Sequence, residues 1–222
     1  MTGKIKLVHS GGNSVSLAVP TSNPSASEVE FKLPQADGSS GEALVTDASG
    51  NLSFAGTGKI LQVKNAIKTD TQSVTNDNNG NFTDVTGLSL SITPSSSSNK
   101  VLFRGYVALC GEANTSMAIR IFRDSTEIGK STADGTAANN STATAKSLNI
   151  SSTTGKQQMH QLHFEVLDSP NTTSATTYKV KFAETHLHNY VGTTIYVNRP
   201  HTGMGSDQHG VISSVTAMEV AA

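Results

Sequence analysis

Residues 101–109 have the sequence VLFRGYVAL, in which every second position is apolar or glycine. Arg104 and Tyr106 lie between those positions. Successive side chains of a β-strand point to opposite faces, so this spacing places one set against a core and the other set away from it. The stretch therefore predicts a half-buried β-strand.

The same alternation recurs after about Ile60, in residues 88–92, 162–166, 178–182 and 211–217. Each of these segments places its apolar residues on one face of a strand. No window of 11 or more residues has the i, i+3, i+4, i+7 apolar spacing of a helix. The chain is therefore predicted to be all-β.

Two further features specify how these strands are arranged. Met117–Phe122 is apolar on both faces apart from Arg120, which is typical of a central strand. Turn-forming residues separate the predicted strands, as in the Asn-rich stretch 76–81 and the serine run 94–99. Eight or nine short strands with regular turns predict an antiparallel jelly-roll β-sandwich, which we assign to residues 59–222.

Residues 1–58 have a different organisation, with short predicted strands at 15–19, 28–33, 42–46 and 51–54. A few short strands are marginally stable alone. We expect this β-rich region to oligomerise and to dock to other proteins. Three copies around an axis would bury four large apolar side chains, and this predicted trimer core consists of Phe31, Leu33, Leu44 and Phe54.

Composition excludes several classes of partner. The formal net charge of −1 argues against nucleic-acid binding, which needs an excess of Lys and Arg. No run approaches 18 apolar residues, so we expect no membrane insertion. The 222 residues include 29 Ser and 27 Thr but no Trp, so one chain has few large side chains for a core. Burial against further copies of the chain is therefore favoured.

Residues 33–54, with the sequence LPQADGSSGEALVTDASGNLSF, resemble a sequence pattern, the fibre-like phrase, that recurs in fibre proteins of tailed bacteriophages. Phe54 stands where that phrase often has Trp. The second part of the chain resembles a domain of marine and cyanobacterial phage virion proteins. Its segments, in order, are ILQVK at 60–64, TDVTGL at 83–88, ITP at 92–94, DSP at 168–170, TYKV at 177–180, IYVNR at 195–199 and MEV at 218–220.

This resemblance implies a structural role on the virion surface after assembly in the host cytoplasm. It also implies a homotrimer with a head similar to tumour necrosis factor. The first functional hypothesis is a non-enzymatic tail fibre that attaches to a host glycan or outer-membrane receptor. The alternative is a capsid decoration or cement protein that stabilises the shell. The expected partners are further copies of the chain and other capsid or tail proteins.

Two segments are candidate binding sites. His186 and His188 would share one face of a strand, so three chains could supply six imidazoles to a transition metal on a threefold axis. Solvent-facing histidines are the alternative, and we expect no other cofactor. The second segment is a glycine-rich loop that could contact a receptor or act as a connector, made of Thr202, Gly203, Met204, Gly205, Ser206 and Asp207.

Signals of catalysis are weak. The sequence contains no GxxxxGK[ST] or GxSxG motif. A polysaccharide depolymerase is the minor alternative, with Glu165, Asp168 and Glu184 as candidate carboxylates. Nothing in the sequence distinguishes these three from surface acids. We therefore expect a protein without catalytic residues, and we expect the single cysteine, Cys110, to be buried.

Overall fold

The structure is a computed structural model that describes residues 4–18, 22, 28–39, 41–56, 58–76, 81–113, 115–131, 143–149, 158–185, 192–201 and 209–222. Throughout these ranges the regular structure is β-strand, and no helix occurs in them. In particular, none of the described segments is a helix long and apolar enough to cross a membrane. The chain divides into two compact units, Met1–Thr57 and Gly58–Ala222, which we call the N-terminal unit and the head.

The N-terminal unit contains two antiparallel hairpins. The first pairs β1 (Lys4–Val8) with β2 (Ser14–Ala18), and the second pairs β3 (Glu42–Thr46) with β4 (Leu52–Gly56). The turn of the second hairpin is fixed by Asp47, whose carboxylate accepts hydrogen bonds from Ser49 N and from the Asn51 side chain. Gly50 has a φ of 85°, which favours glycine in this turn.

The predicted strand at 28–33 is wrong. Its backbone makes only an isolated parallel bridge between Lys32 and Asn51. Two hydrogen bonds define this bridge, from Lys32 N to Gly50 O and from Leu52 N to Lys32 O. This segment has the alternation of a strand, but no strand among the described residues pairs along it, and both Phe31 and Leu33 are exposed.

The head is an antiparallel β-sandwich of eleven strands in the described ranges, more than the eight or nine predicted. In chain order they are β5 (Ile60–Lys68), β6 (Gln72–Thr75), β7 (Thr83–Ile92), β8 (Lys100–Gly111), β9 (Thr115–Arg123), β10 (Thr126–Ile128), β11 (Ala145–Asn149), β12 (His160–Asp168), β13 (Thr176–Glu184), β14 (Thr194–Val197) and β15 (Ser213–Val220). The strands β6, β10 and β11 account for the difference, because three to five residues carry little alternation.

The strand order is that of a jelly roll. One sheet has the order β5-β15-β8-β12. In the same sheet, β14 pairs with the end of β8 beyond β15, and β6 pairs with β14. The other sheet has the order β7-β13-β9, with β10 and β11 both pairing the far edge of β9. Apart from the hairpins, consecutive long strands lie in opposite sheets, as in two interlocked Greek keys. The predicted jelly-roll sandwich is confirmed, and β9 is the expected central strand.

Both sheets contribute to one core. Phe103 on β8 lies at its centre, with ring centroids 5.2 Å from Phe164 and 5.5 Å from Tyr178. The Tyr178 hydroxyl donates to Asp168 Oδ2 at 2.6 Å, and Arg123 Nη1 donates to both oxygens of the same carboxylate at 2.9 Å. Burial and this hydrogen bond raise the pKa of Tyr178 above its ordinary value. Because Asp168 lies on β12 and its two donors on the opposite sheet, the carboxylate links the sheets.

A second buried carboxylate fixes the serine-rich turn before β8. Glu219 accepts hydrogen bonds from Ser95 N and Oγ, Asn99 Nδ2 and Gln62 Nε2, all at 2.6–2.7 Å. Burial alone would raise the pKa of Glu219, but these hydrogen bonds outweigh it and lower the pKa to about 2. The turn is therefore tied to the last strand of the chain by an ionised group.

Candidate functional site

The predicted trimer core lies on the surface of the N-terminal unit. Leu33, Leu44 and Phe54 line one pocket of about 280 Å³, together with Pro34 and the segment that follows it. Leu33 is 77% exposed and Phe54 is 39% exposed. Phe31 is also exposed but does not line this pocket. Their exposure in one chain is compatible with burial by further copies, and the predicted core itself stays a prediction.

One outer surface of the head carries a row of apolar side chains. We call it the apolar face, and define it as the outward side chains of β5, β15, β8 and β12. Strand register aligns these side chains in rows across the sheet. One row is entirely apolar and consists of Val63, Met218, Leu102 and Leu167. Its ends are the most open, since Val63 is 58% and Leu167 is 54% exposed.

The next row on the apolar face is polar, and consists of Asn65, Thr216, Arg104 and Glu165. Arg104 Nη1 lies 3.6 Å from Glu165 Oε2, so the two charges balance. Asn65 Nδ2 donates to Thr216 Oγ1 at 2.9 Å. The polar groups of this row therefore pair with one another across strands.

A groove of about 600 Å³ lies beside these rows. Its walls include the Arg104 and Glu165 pair and the stacked rings of Tyr106 and His163, whose centroids are 5.4 Å apart. The short side chains of Ser214 and Thr216 leave space between these walls. The groove is open, and it presents hydroxyl, aromatic and charged groups side by side.

The opposite outer surface has a different chemistry. We call it the charged face, and define it as the outward side chains of β7, β13, β9 and β10. Asp84 pairs with Lys179 at 3.0 Å and with Lys181 at 3.3 Å. Burial opposes ionisation of Asp84, but the hydrogen bonds from both lysines outweigh it and hold the pKa below its ordinary value. The face is thus covered by paired charges.

Aromatic rings on the charged face lie under cations. The Arg120 guanidinium is 4.1 Å from the centroid of the Phe82 ring, and Lys181 Nζ is 5.0 Å from that of Phe122. Each cation covers apolar surface that would otherwise face water. In the described part of the head, no large hydrophobic side chain on β7, β9, β10 or β13 is strongly exposed.

The predicted receptor-contact loop, Thr202–Asp207, lies outside the described residues, but its base is described. Asn198, with a φ of 64°, donates from Nδ2 to the carbonyl oxygens of Lys68 and Asp70 and accepts from Ser213 Oγ. Val211 N donates to Asn198 O at 3.1 Å, which closes the segment on itself. The described residues that flank the loop are therefore hydrogen-bonded to one another.

Ring and charged groups cluster at the same base. The Arg199 guanidinium lies 4.1 Å from the Tyr196 ring centroid, and the His201 ring lies 5.4 Å from that of Tyr196. His201 Nδ1 is 3.6 Å from Glu112 Oε1. Cys110 is buried, as predicted, and burial raises the pKa of its thiol. Sequence reasoning missed Glu112, Tyr196 and Arg199 here, because Glu112 is distant in sequence from His201 and only the fold brings these two side chains together.

His186 and His188, the predicted metal ligands, also lie outside the described residues. Elsewhere, the described ranges contain no group of three or more His, Cys, Asp or Glu side chains that could hold a metal ion. The axial metal site stays a prediction, which metal analysis of the assembled protein would test.

The candidate catalytic carboxylates are engaged with protein groups. Glu165 pairs with Arg104, Asp168 accepts from Arg123 and Tyr178, and Glu184 accepts from Ser116 N at 2.8 Å.

One serine and one histidine approach each other, since Ser147 Oγ lies 3.0 Å from His160 Nδ1. The other ring nitrogen of His160 is buried and has no hydrogen-bond partner among the described residues. A catalytic triad needs an acid on the histidine nitrogen that faces away from the serine. Among the described residues, no acid takes this position beside His160.

No protein-family model and no curated protein matches the sequence. Among solved structures, the chain is similar to one of the infectious bursal disease virus Gt strain, with 12% identity and a TM-score of 0.39. It is also similar to a mutant VP2 protein of that virus in T=1 particles, with 11% identity and a TM-score of 0.37. The matches cover 95% and 94% of this chain but only 48% and 46% of those chains. Similarity this low carries no argument about function.

Proposed function

We propose that this chain is a non-enzymatic structural protein of a tailed-phage virion. It forms a homotrimeric fibre whose N-terminal unit docks to other virion proteins and whose head projects outward. The observation that carries the proposal is the open apolar pocket of Leu33, Leu44 and Phe54, which lies within the fibre-like phrase. A chain that exposes this much apolar surface gains stability when further copies cover it.

The head attaches to the host surface through the loop at 202–207, where a glycan or outer-membrane component is the expected partner. The base of this loop is held by Asn198 and flanked by Tyr196 and Arg199. Aromatic and guanidinium groups contact sugars and polar protein surfaces well. Contact at each loop is weak, and three loops on each trimer strengthen it through multivalency.

Antibody labelling of intact phage particles tests the location. Label on the tail supports the fibre, and label on the head indicates the alternative, a capsid decoration protein. Particles without label would contradict both. If the protein is a capsid decoration protein, particles that lack it should lose resistance to heat or osmotic shock.

Binding of the purified protein to host cells tests attachment. Replacing Met204 and Asp207 by Ala should reduce binding by on the order of tenfold, because three weak contacts are weakened together. Ser89→Ala, on the charged face, is the matched control and should bind normally. Host polysaccharide incubated with the protein should keep its chain length, whereas shortening would indicate a depolymerase.

A further inference from the structure

His201 is a partly buried histidine that the proposed function does not use. Nδ1 of its ring is buried and has no hydrogen-bond partner among the described residues. Oε1 of Glu112 lies 3.6 Å from that nitrogen, beyond the length of a good hydrogen bond. A buried ring nitrogen without a partner costs free energy, so a change that supplies the bond stabilises the fold.

The backbone on both sides of this contact is held in place. Glu112 N donates to Thr194 O at 3.2 Å, and Thr115 Oγ1 donates to Glu112 O at 2.8 Å. On the other side, the backbone N–H of His201 donates to the thiol of Cys110. A change of charge at this contact therefore acts on the two side chains between backbones that are already hydrogen-bonded.

The groups around His201 decide how it responds to a proton. Among the described residues, the titratable or charged groups that contact it, or contact the ring on which it packs, are Cys110 and Glu112 from β8 and the turn after β8, Tyr196 from β14, and Arg199 from its own segment. Burial raises the pKa of the Cys110 thiol, which therefore stays uncharged. Arg199 lies over the Tyr196 ring, whereas Glu112 contacts the imidazole itself. Because charge interactions weaken with distance, Glu112 is the charge that decides the response.

Protonation of His201 turns this contact into an ion pair. An unperturbed histidine gains its charge as pH falls from about 8 to about 5. The proton on Nδ1 supplies the missing donor, and the imidazolium and the carboxylate then form a charge-assisted hydrogen bond, which is about twice as strong as a neutral one. The carboxylate must be ionised, so the pair exists between about pH 4.5 and about pH 6.5.

We propose that His201 is an acid-responsive positioning residue, which binds Glu112 when protonated and ties the segment after β14 to the turn after β8. The next residue, Thr202, begins the predicted receptor-contact loop. The ion pair therefore fixes the point at which that loop leaves the described part of the head. In mildly acidic surroundings the head binds its host partner more tightly, because less ordering remains to be done on contact. This last consequence rests on the proposed function, whereas the ion pair does not.

A double-mutant cycle on the full chain tests the ion pair. It compares the native chain, His201→Gln, Glu112→Gln and the variant with both changes, by urea denaturation at pH 5.5 and at pH 8 and at one protein concentration. At pH 5.5 the coupling between the two residues should change the unfolding equilibrium constant on the order of tenfold. The stabilisation by a protonated histidine is lost as pH rises, so the coupling should vanish at pH 8.

A merely structural role of the two side chains predicts a different result. Packing or a neutral hydrogen bond gives the same coupling at both pH values, and this result would overturn the proposal. A coupling that is larger at pH 8 than at pH 5.5 would overturn it as well.

The matched control is a cycle of His163→Gln with Glu112→Gln. His163 is exposed and lies opposite Tyr106, which precedes Glu112 by six residues, or about 20 Å along a strand. The control cycle should show no coupling at either pH. A coupling as large as that of His201 would count against the proposal, because it would report a general effect of charge.

NMR spectroscopy of the native chain gives a second measurement that needs no variant to fold. The carboxyl carbon of Glu112 should change its chemical shift over the same pH range in which the ring of His201 gains its proton. A Glu112 signal that stays constant while His201 is protonated would overturn the ion pair. A His201 ring that stays neutral down to pH 4.5 would do the same.

Binding to host cells separates the ion pair from the proposed function. The native chain should bind on the order of threefold more tightly at pH 5.5 than at pH 8, and Glu112→Gln should remove this difference. A pH-dependent coupling together with host binding that is the same at both pH values would overturn only the link to attachment. The same coupling in a chain that binds no host cell at either pH would overturn only the proposed function.

Discussion

The two outer faces of the head are built from strands with the same alternation but end with opposite surface chemistry. On the charged face, Arg120 and Lys181 lie over aromatic rings, and Asp84 neutralises two lysines. On the apolar face, Val63 and Leu167 have no such cover. Cations cover the rings of the charged face within one chain, whereas the apolar row is open at both ends.

The largest effect should come from the residue that supports both faces. Phe103→Ala removes a fully buried ring between the sheets and should cost about 3–5 kcal/mol in the free energy of unfolding. Tyr106→Ala, on the outward side of the same strand, should cost less than half as much. Urea denaturation measures both, and equal costs would contradict the assignment of inward and outward faces.

The next effect should come from the link between the sheets. Asp168→Ala leaves the Arg123 guanidinium and the Tyr178 hydroxyl without their acceptor and should cost about 2–4 kcal/mol. Asp84→Ala removes a half-exposed carboxylate from the charged face and should cost less than about 1 kcal/mol. If thermal unfolding showed similar losses for both variants, Asp168 would not be a link between sheets.

Acid should weaken the edge of the head where Glu219 holds the serine-rich turn. The pKa of Glu219 is lowered from 4.5 to about 2 in the folded chain. A lowered folded pKa stabilises the fold above pH 4.5, and this contribution is lost as pH falls from 4.5 towards 2. The difference corresponds to about 3 kcal/mol.

Glu219→Gln isolates that contribution. The variant should be less stable than the native chain at pH 7, and the gap between them should close near pH 2. Denaturation curves at both pH values measure the gap. A gap that stays constant with pH would show that the Glu219 carboxylate is not the group responsible.

The smallest effect should separate the ion pairs of the two faces. Arg120 and Glu127 on the charged face are 14% and 17% exposed, whereas both side chains of the Arg104 and Glu165 pair are more than half exposed. Arg120→Ala should cost about 1–2 kcal/mol, and Arg104→Ala about 0–0.5 kcal/mol. The free energies of unfolding of both variants are measured at a concentration where the variants have the same solution mass as the native protein. A larger cost for Arg104→Ala than for Arg120→Ala would contradict the comparison.

The sequence predicted those parts of the fold that depend on alternation. The strands around Phe103, Phe164 and Tyr178 were located because their apolar residues recur with a period of two. The jelly-roll arrangement followed from strand number and turns. The strands β6, β10 and β11 were missed. Strands β10 and β11 form by pairing with the longer β9, and β6 forms by pairing with β14, rather than from a pattern of their own.

Alternation also explains the incorrect strand at 28–33. Val29, Phe31 and Leu33 have the spacing of a buried face, but all three are exposed and no strand among the described residues pairs along the segment. Similarly, the apolar row depends on register between four strands that are distant in sequence. Period alone shows which residues share a face of one strand, and it does not show which strands align.

The central claim is that one chain leaves apolar surface for other copies to cover. The solution mass of the native protein tests this claim most directly. Sedimentation equilibrium over a range of concentrations should give about 69 kDa, three times the 23.1 kDa chain. A mass of 23.1 kDa at every concentration would contradict the account, because both the N-terminal pocket and the apolar face would then remain exposed in a stable monomer.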